Sequence, residues 1–168
     1  MTLLFAQPYD VSASGFFFET IDQYEERAAK AVNSFGERVE EFEIQFIDGE
    51  GIDAAFAKAV GLNQANIGTF LDLVDEWDED DKRRFIVAVG ECGYSFDLEG
   101  DAICDLDVDL YEGMSLRELA EEFVDEGLFG EIPENLRFYI DYDAIARDLA
   151  MDYVETEIAG TRLVYRCA

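Results

Sequence analysis

The chain has 168 residues, with 40 Asp and Glu against 12 Lys and Arg and no histidine, so its net charge is −28. An apolar fraction of 49%, with fourteen Phe and eight Tyr against two Pro, excludes the weakly hydrophobic class of disordered chains and predicts a buried core. The lack of histidine excludes Ser-His and Cys-His catalysis and His-bearing zinc sites, and the longest apolar stretch, Phe85 to Val89, is too short to span a bilayer.

In chain order, Leu3 to Phe5 and Gly15 to Glu19 read as strands joined by a turn around Ser12–Ser14. A helix is predicted from Asp22 to Ser34, with Gly36 as its stop. The run EFEIQFID then places Phe42, Ile44 and Phe46 on one strand face and Glu41, Glu43 and Gln45 on the other. Residues 1–60 thus form a small α+β module. Residues 61–103 read as a mainly helical module, because Ile67, Phe70, Leu71 and Val74, and then Phe85, Ile86 and Val89, recur at helical spacing. Between those helices lies DEWDEDDKRR, which crowds six carboxylates together. Acids at Glu79, Asp80 and Asp81 favour the N-terminus of the following helix through its dipole, which accounts for only part of the cluster.

Residues 104–168 read as a second α+β module. ICDLDVDLY alternates strictly, so a strand is expected with Asp105, Asp107 and Asp109 on one face and Leu106, Val108 and Leu110 on the other. SLRELAEEFVDEG carries a capping box, Ser115 with Glu118, and a candidate C′ glycine, Gly127. Pro133 stands where a helix can begin, and Asp141 is placed to cap YDAIARDLAM. Tyr153 to Ile158 and Thr161 to Tyr165 form a predicted hairpin around Ala159–Gly160. The expected fold class is therefore α+β, a chain of three small modules. Two of these carry small antiparallel sheets with helices.

The charge needs a reason beyond solubility, because self-repulsion at this density opposes the compact state. Duplex DNA carries one negative charge per ~1.7 Å of axis, so 28 excess charges correspond to roughly 48 Å, or about 14 base pairs. That density points to imitation of nucleic acid rather than binding to it. Cations are also unevenly placed: no Lys or Arg lies between Phe85 and Leu116, where eight acids fall, and none between Glu118 and Leu136, where seven fall. A salt-bridged helix surface would interleave the signs. The candidate partner-facing carboxylates are Asp72, Asp75, Glu76, Asp78, Glu79, Asp80 and Asp81 in the first cluster. Glu91, Asp97, Glu99, Asp101, Asp105, Asp107, Asp109 and Glu112 follow in the first cation-free stretch. Glu118, Glu121, Glu122, Asp125, Glu126, Glu131 and Glu134 lie in the second.

Other chemistries fit less well. No Walker loop occurs, and no GxGxxG follows a strand. An EF-hand loop starting at Asp105 would require glycine at position 110 and glutamate at position 116, where the chain has Leu110 and Leu116. Forty acids supply many accidental carboxylate pairs, so no single pair marks a hydrolase. Cys92, Cys104 and Cys167 form no CxxC and are odd in number, as expected of thiols in a reducing cytosol. The N-terminus, MTLLFAQPYD, has neither a basic region nor a signal-length apolar run, so a cytoplasmic protein without catalytic residues, metal or cofactor is expected. Halophilic adaptation would also enrich acids, but it would spread them without a preferred stripe.

GLFGEIPENLRFYIDYDAIARDL, Gly127 to Leu149, closely resembles the C-terminal hallmark of the ArdA antirestriction family. The residues carrying the match are Gly130 and Pro133 of the Gly-Glu-Ile-Pro turn, Leu136, the string Tyr139, Ile140, Asp141 and Tyr142, and Arg147, Asp148 and Leu149. GFFFET and EEFEIQFIDGE resemble the family's N-terminal strands more weakly. The resemblance implies an elongated three-module α+β protein, a homodimeric DNA mimic that occupies the DNA groove of Type I restriction–modification enzymes, on the methyltransferase core, without binding nucleic acid or membrane itself. It places the antirestriction motif near Glu118 to Glu134. It leaves Tyr139, Ile140, Tyr142, Ile145 and Leu149 as core or dimer contacts, Asp141 as a cap and Arg147 as an internal salt-bridge partner. The alternative is a chaperone-like or mimicking binder of another basic nucleic-acid-binding protein.

Overall fold

The computed structural model describes residues 1–168, and the chain divides into two compact units, Met1–Asp105 and Leu106–Ala168. The fold class is α+β, with two separate three-stranded antiparallel sheets.

In the first unit, β1 (Leu3–Pro8) lies between β2 (Phe16–Phe18) and β3 (Phe42–Asp48), in the order β2-β1-β3. Strand alternation sorts the aromatic residues: Phe16, Phe18 and Phe42 turn inward onto Tyr24 of α1 (Ile21–Lys30), while Phe17 packs on Phe5, ring centres 4.7 Å apart, on the opposite face. Gly15 permits the turn into β2, because a Cβ there would come within 2.4 Å of the Phe5 ring and 2.6 Å of the Ala6 carbonyl oxygen. Thr20 caps α1 by accepting the Gln23 N–H. The helix ends at Lys30, four residues before the predicted Ser34. Ala31 is extended, and the Asn33 side chain takes the N–H groups of Phe35 and Glu37, which would otherwise continue the helix.

A helix that the sequence reading passed over, α2 (Gly51–Val60), follows β3 and ends at Gly61 with φ 66°. It packs with α3 (Ile67–Glu76) and α4 (Glu79–Phe85) around Phe56, Phe70, Trp77 and Phe85, whose ring centres lie 5.2 to 5.6 Å apart. α4 continues as one stretch of π-helix, Ile86–Glu91. Gln64 braces this part against the sheet: its carbonyl oxygen accepts the Phe42 N–H at 2.8 Å, and its amide donates to the Tyr24 hydroxyl at 2.8 Å.

The second unit has the strand order β4-β6-β5, from β4 (Val108–Glu112), β5 (Val154–Ile158) and β6 (Thr161–Cys167). α5 (Leu116–Asp125) buries Leu119 and Phe123 against Tyr153 and Val164, with Leu149 of α6 (Tyr142–Leu149) packed on that cluster. The capping box is formed as predicted, and α5 ends in a Schellman arrangement: Leu128 N–H donates to the Phe123 carbonyl and Gly127 N–H, at φ 79°, to Val124. Asp141 caps α6 by accepting the Ala144 N–H at 3.0 Å. In the β5–β6 turn Ala159 and Gly160 take φ values of 50° and 82°, as a two-residue hairpin of the primed type requires.

The expected strand over the alternating aspartates forms only in its second half. Ile103–Asp105 is a turn of 3-10 helix, closed by Asp105 N–H to the Ala102 carbonyl, and the ladder with β6 begins at Val108 opposite Cys167. Leu106 and Val108 are still buried and Asp105 and Asp107 still exposed, but without a paired strand there is no regular ladder of carboxylates. Aspartate is a poor strand former, and no neighbouring strand is available to impose the geometry on that half. The expectation of three thiols also needs correction: Cys104 is free and exposed, whereas Cys92 and Cys167 are disulfide-bonded.

Candidate partner-binding surface

Among the twenty-two candidate carboxylates, Asp81, Asp109, Glu121 and Glu122 are half-buried and the other eighteen are exposed. Their local chemistry divides them further. Several are tied to the chain's own cations. Glu79 and Asp80 both pair with Arg83, whose side chain is only 8% exposed. Asp109 pairs with Arg166 at 2.6 Å, Glu118 with Arg162 at 2.9 Å, Glu121 with Arg117 at 3.2 Å and Asp125 with Arg137 at 2.8 Å.

A second group builds turns and caps. Asp78 accepts the Asp81 N–H at the start of α4, Asp97 accepts the Glu99 N–H, and Asp101 accepts the Asp97 N–H. Glu99 accepts the Thr69 hydroxyl at 3.3 Å. A third group, comprising Asp72, Asp75, Glu76, Asp81, Glu91, Glu126, Glu131 and Glu134, makes no hydrogen bond or ion pair through its side chains. Asp72, Asp75 and Glu76 crowd the C-terminal half of α3, where the helix dipole already disfavours negative charge. No fold-stabilising partner offsets that placement. Glu122 has one carboxylate oxygen buried without a hydrogen bond.

The electrostatics follow the same division. Burial raises the Asp81 carboxyl above its ordinary value, and the neighbouring charges of Asp78 and Asp80 add to the rise. The Ser115 backbone N–H and hydroxyl, with a smaller contribution from Arg162, hold Glu118 below the usual glutamate range. Most of the cations, by contrast, face inward or are neutralised. Lys82 and Arg83 are buried, and Arg117, Arg137, Arg162 and Arg166 all sit in ion pairs. Arg147 is exposed and makes no ion pair, which corrects the expectation of an internal salt bridge.

Further exposed acids outside the predicted set lie in the first unit. Glu41, Glu43, Asp48 and Glu50 run along and beyond β3, with Glu41 and Glu43 opposite the buried Phe42 and Ile44. The period-two pattern of EFEIQFID was the available signal. In the second unit an open depression of about 470 Å³ lies beside the hallmark turn, lined by Asp125, Glu126, Glu131 and Arg137 among others. No group of three or more potential ligands is arranged to hold a metal ion, and no helix is long and apolar enough to cross a membrane.

The hallmark segment has an unusual relation to its own core. From Asp125 to Asp152 no residue is fully buried. Leu128, Phe129 and Leu136 are at least half exposed, and Phe138 and Tyr139 are 92% and 83% exposed. Tyr142, Ile145 and Leu149 are half-buried along α6. Such a surface of large apolar residues is characteristic of an interaction face.

No curated protein matches the chain in sequence. A match to the antirestriction protein family ArdA runs over residues 12–161 of 168, and the chain belongs to that family.

Proposed function

We propose that this antirestriction protein is a DNA mimic that competes with DNA for the binding groove of a Type I restriction–modification enzyme, on its methyltransferase core. The observation that carries this reading is the sorting of charge. Most cations are buried or neutralised, with Lys58 and Arg147 among the exceptions, while Asp72, Asp75, Glu76, Glu126, Glu131 and Glu134 remain exposed and uncommitted. A groove that presents Lys and Arg to phosphates gains much of its affinity from counterion release, and exposed carboxylates held on a folded chain can draw on the same attraction. They offer nothing to methylate or cleave. Fixed placement limits the ordering entropy lost on binding, which a flexible polyanion would not avoid. The protein acts as an inhibitor, in the cytoplasm, and not as an enzyme.

The exposed apolar hallmark supports the second part of the proposal, that two copies associate through residues 128–149. A dimer carries twice −28, or −56, which corresponds to roughly 28 base pairs of duplex charge. That length suits an enzyme reading two separated half-sites.

The test is binding of the purified protein to a Type I methyltransferase core, titrated with salt and with duplex competitor. Tight binding that weakens steeply with salt and excludes DNA is the expected result. Absence of binding at low salt would reject this partner and favour another basic nucleic-acid-binding protein.

A further inference from the structure

A surface that copies phosphates attracts any protein built to hold phosphates. Such contacts position the partner but carry no identity. Selectivity for one DNA-binding enzyme therefore needs a contact that DNA does not make. Two loops of the first unit supply a candidate, and they are joined by one asparagine.

The Asn33 side chain amide donates to Asp10 Oδ2 at 3.0 Å and to Glu37 Oε2 at 3.2 Å. Its carbonyl oxygen accepts the N–H groups of Phe35 and Glu37, each at 2.9 Å. Asp10 in turn accepts the Ser12 N–H and hydroxyl at 2.9 and 2.7 Å. Its carboxyl is held below the ordinary value, chiefly by Asn33 and then by Ser12, so the network is anchored on an ionised group. A backbone bond from Tyr9 N–H to the Glu41 carbonyl fixes the entry to the first loop, and one from Val39 N–H to the Ala31 carbonyl closes the second. Gly36, at φ 79°, allows the tight return.

This polar clamp presents apolar side chains to solvent. Phe35 is 83% exposed, Val11 98%, Tyr9 66% and Val32 56%. A phenyl ring at the tip of a loop contributes nothing to the fold from that position. Held by the clamp, however, it loses little entropy when covered. The residues around it are mainly acidic: Asp10, Glu37, Glu40 and Glu41, with Arg38 already facing Glu40 at 3.8 Å. An acidic setting suits a basic protein surface.

We propose that the Asp10–Asn33 loop pair is an apolar anchor, led by Phe35, that seats in an apolar recess beside the basic DNA groove of the target enzyme and gives the mimic its selectivity. This rests on the mimic reading above. The carboxylates supply salt-dependent attraction, and the anchor supplies a salt-independent part.

The test compares wild type, Phe35→Ala and Val11→Ser for binding to a Type I methyltransferase core and to an unrelated basic DNA-binding protein, across a salt series. Phe35→Ala is expected to weaken binding to the core about tenfold or more at every salt concentration, as loss of a buried phenyl group implies. The slope of log affinity against log salt stays at the wild-type value, and binding to the unrelated protein does not change. Asn33→Ala, which releases the clamp while keeping Phe35, is expected to lower affinity in the same direction. A Phe35→Ala protein that binds the core like wild type overturns the anchor while leaving the mimic reading intact. An equal loss towards both proteins overturns its role in selectivity, and an oligomer that dissociates in Phe35→Ala reassigns the loop to self-contact. Wild type that fails to bind the core removes the mimic reading and the anchor together.

Discussion

Lys82 Nζ lies 2.7 Å from Asp53 Oδ1, with each side chain 6% exposed, and it also donates to the Val74 carbonyl at 2.8 Å. One ammonium thus joins α2, the end of α3 and α4 inside a protein of net charge −28. Lys82→Met removes the cation and leaves a buried carboxylate uncompensated, which should cost about 3–5 kcal/mol. Replacing both partners, as in Asp53→Leu with Lys82→Met, should recover most of that loss, because no buried charge remains. Urea denaturation of the single and double variants measures both. Equal stabilities for wild type and Lys82→Met would show that the pair does not hold the helices together.

Charge repulsion across the rest of the molecule should make stability strongly salt-dependent. Raising NaCl from about 0.01 M to about 1 M shortens the Debye length from about 30 Å to about 3 Å. Relief of roughly 1–2 kcal/mol of repulsion corresponds to a Tm rise of about 3–6 °C for a chain of this size. Calorimetry over that range should show it. A flat Tm would mean that the acids are already neutralised locally.

The contrast between local and long-range determinants explains which parts of this protein are readable in its sequence. The Ser115–Glu118 box, the Asp141 cap, the Ala159–Gly160 turn and the inward face of β3 all depend on residues a few positions apart, and each stands where the spacing predicts it. α2 escaped notice because its start carries no signal: Glu50 makes no side-chain cap, and the run of alanines offers only a weak apolar stripe. α1 stops early because Asn33 is claimed partly by Asp10, twenty-three positions away. The aspartate alternation misled because a strand requires a partner in register, and β6 supplies one only from Val108 onward. The division of carboxylates into engaged and free was hidden for the same reason. Asp109 meets Arg166 and Glu118 meets Arg162 only after the sheet and α5 have assembled.

Glu118 provides a pH-dependent prediction. Its folded-state pKa is lowered, first by the Ser115 N–H and then by the Ser115 hydroxyl. A depressed carboxyl contributes stability above its unfolded pKa and loses it as pH falls through the folded value. Glu118→Gln should therefore lower Tm at neutral pH. The gap to wild type should close as pH drops below the ordinary glutamate range. A gap that persists unchanged at low pH would assign the effect to the shape of the amide rather than to the lost charge.

Association through the hallmark can be separated from folding because Phe138 and Tyr139 are so exposed. Phe138→Ser and Tyr139→Ser should leave the melting of the isolated chain almost unchanged while weakening self-association at least about tenfold, as removal of an aromatic anchor does. Sedimentation equilibrium decides the matter. A wild-type protein that stays monomeric at high concentration, or a double variant that still dimerises fully, would rule out this face.

The division of the acids also predicts which substitutions separate stability from binding. Asp75→Asn alone should change partner affinity by less than about threefold, the scale of one exposed charge pair. Neutralising Asp72, Asp75, Glu76 and Asp81 together should cost about a hundredfold and flatten the salt dependence. Stability should hold or rise in that variant. None of these side chains is engaged, and the raised pKa of Asp81 marks a folded-state penalty, present above its folded pKa, that neutralisation removes. Glu79→Gln with Asp80→Asn should behave differently. It takes away two carboxylates that pair with the buried Arg83, so it should lower Tm while altering the salt slope less than the fourfold variant does. Binding assays at several salt concentrations, run beside thermal melts, distinguish the two sets. If the two variants lost affinity and stability in the same proportion, the distinction between engaged and free carboxylates would carry no functional meaning.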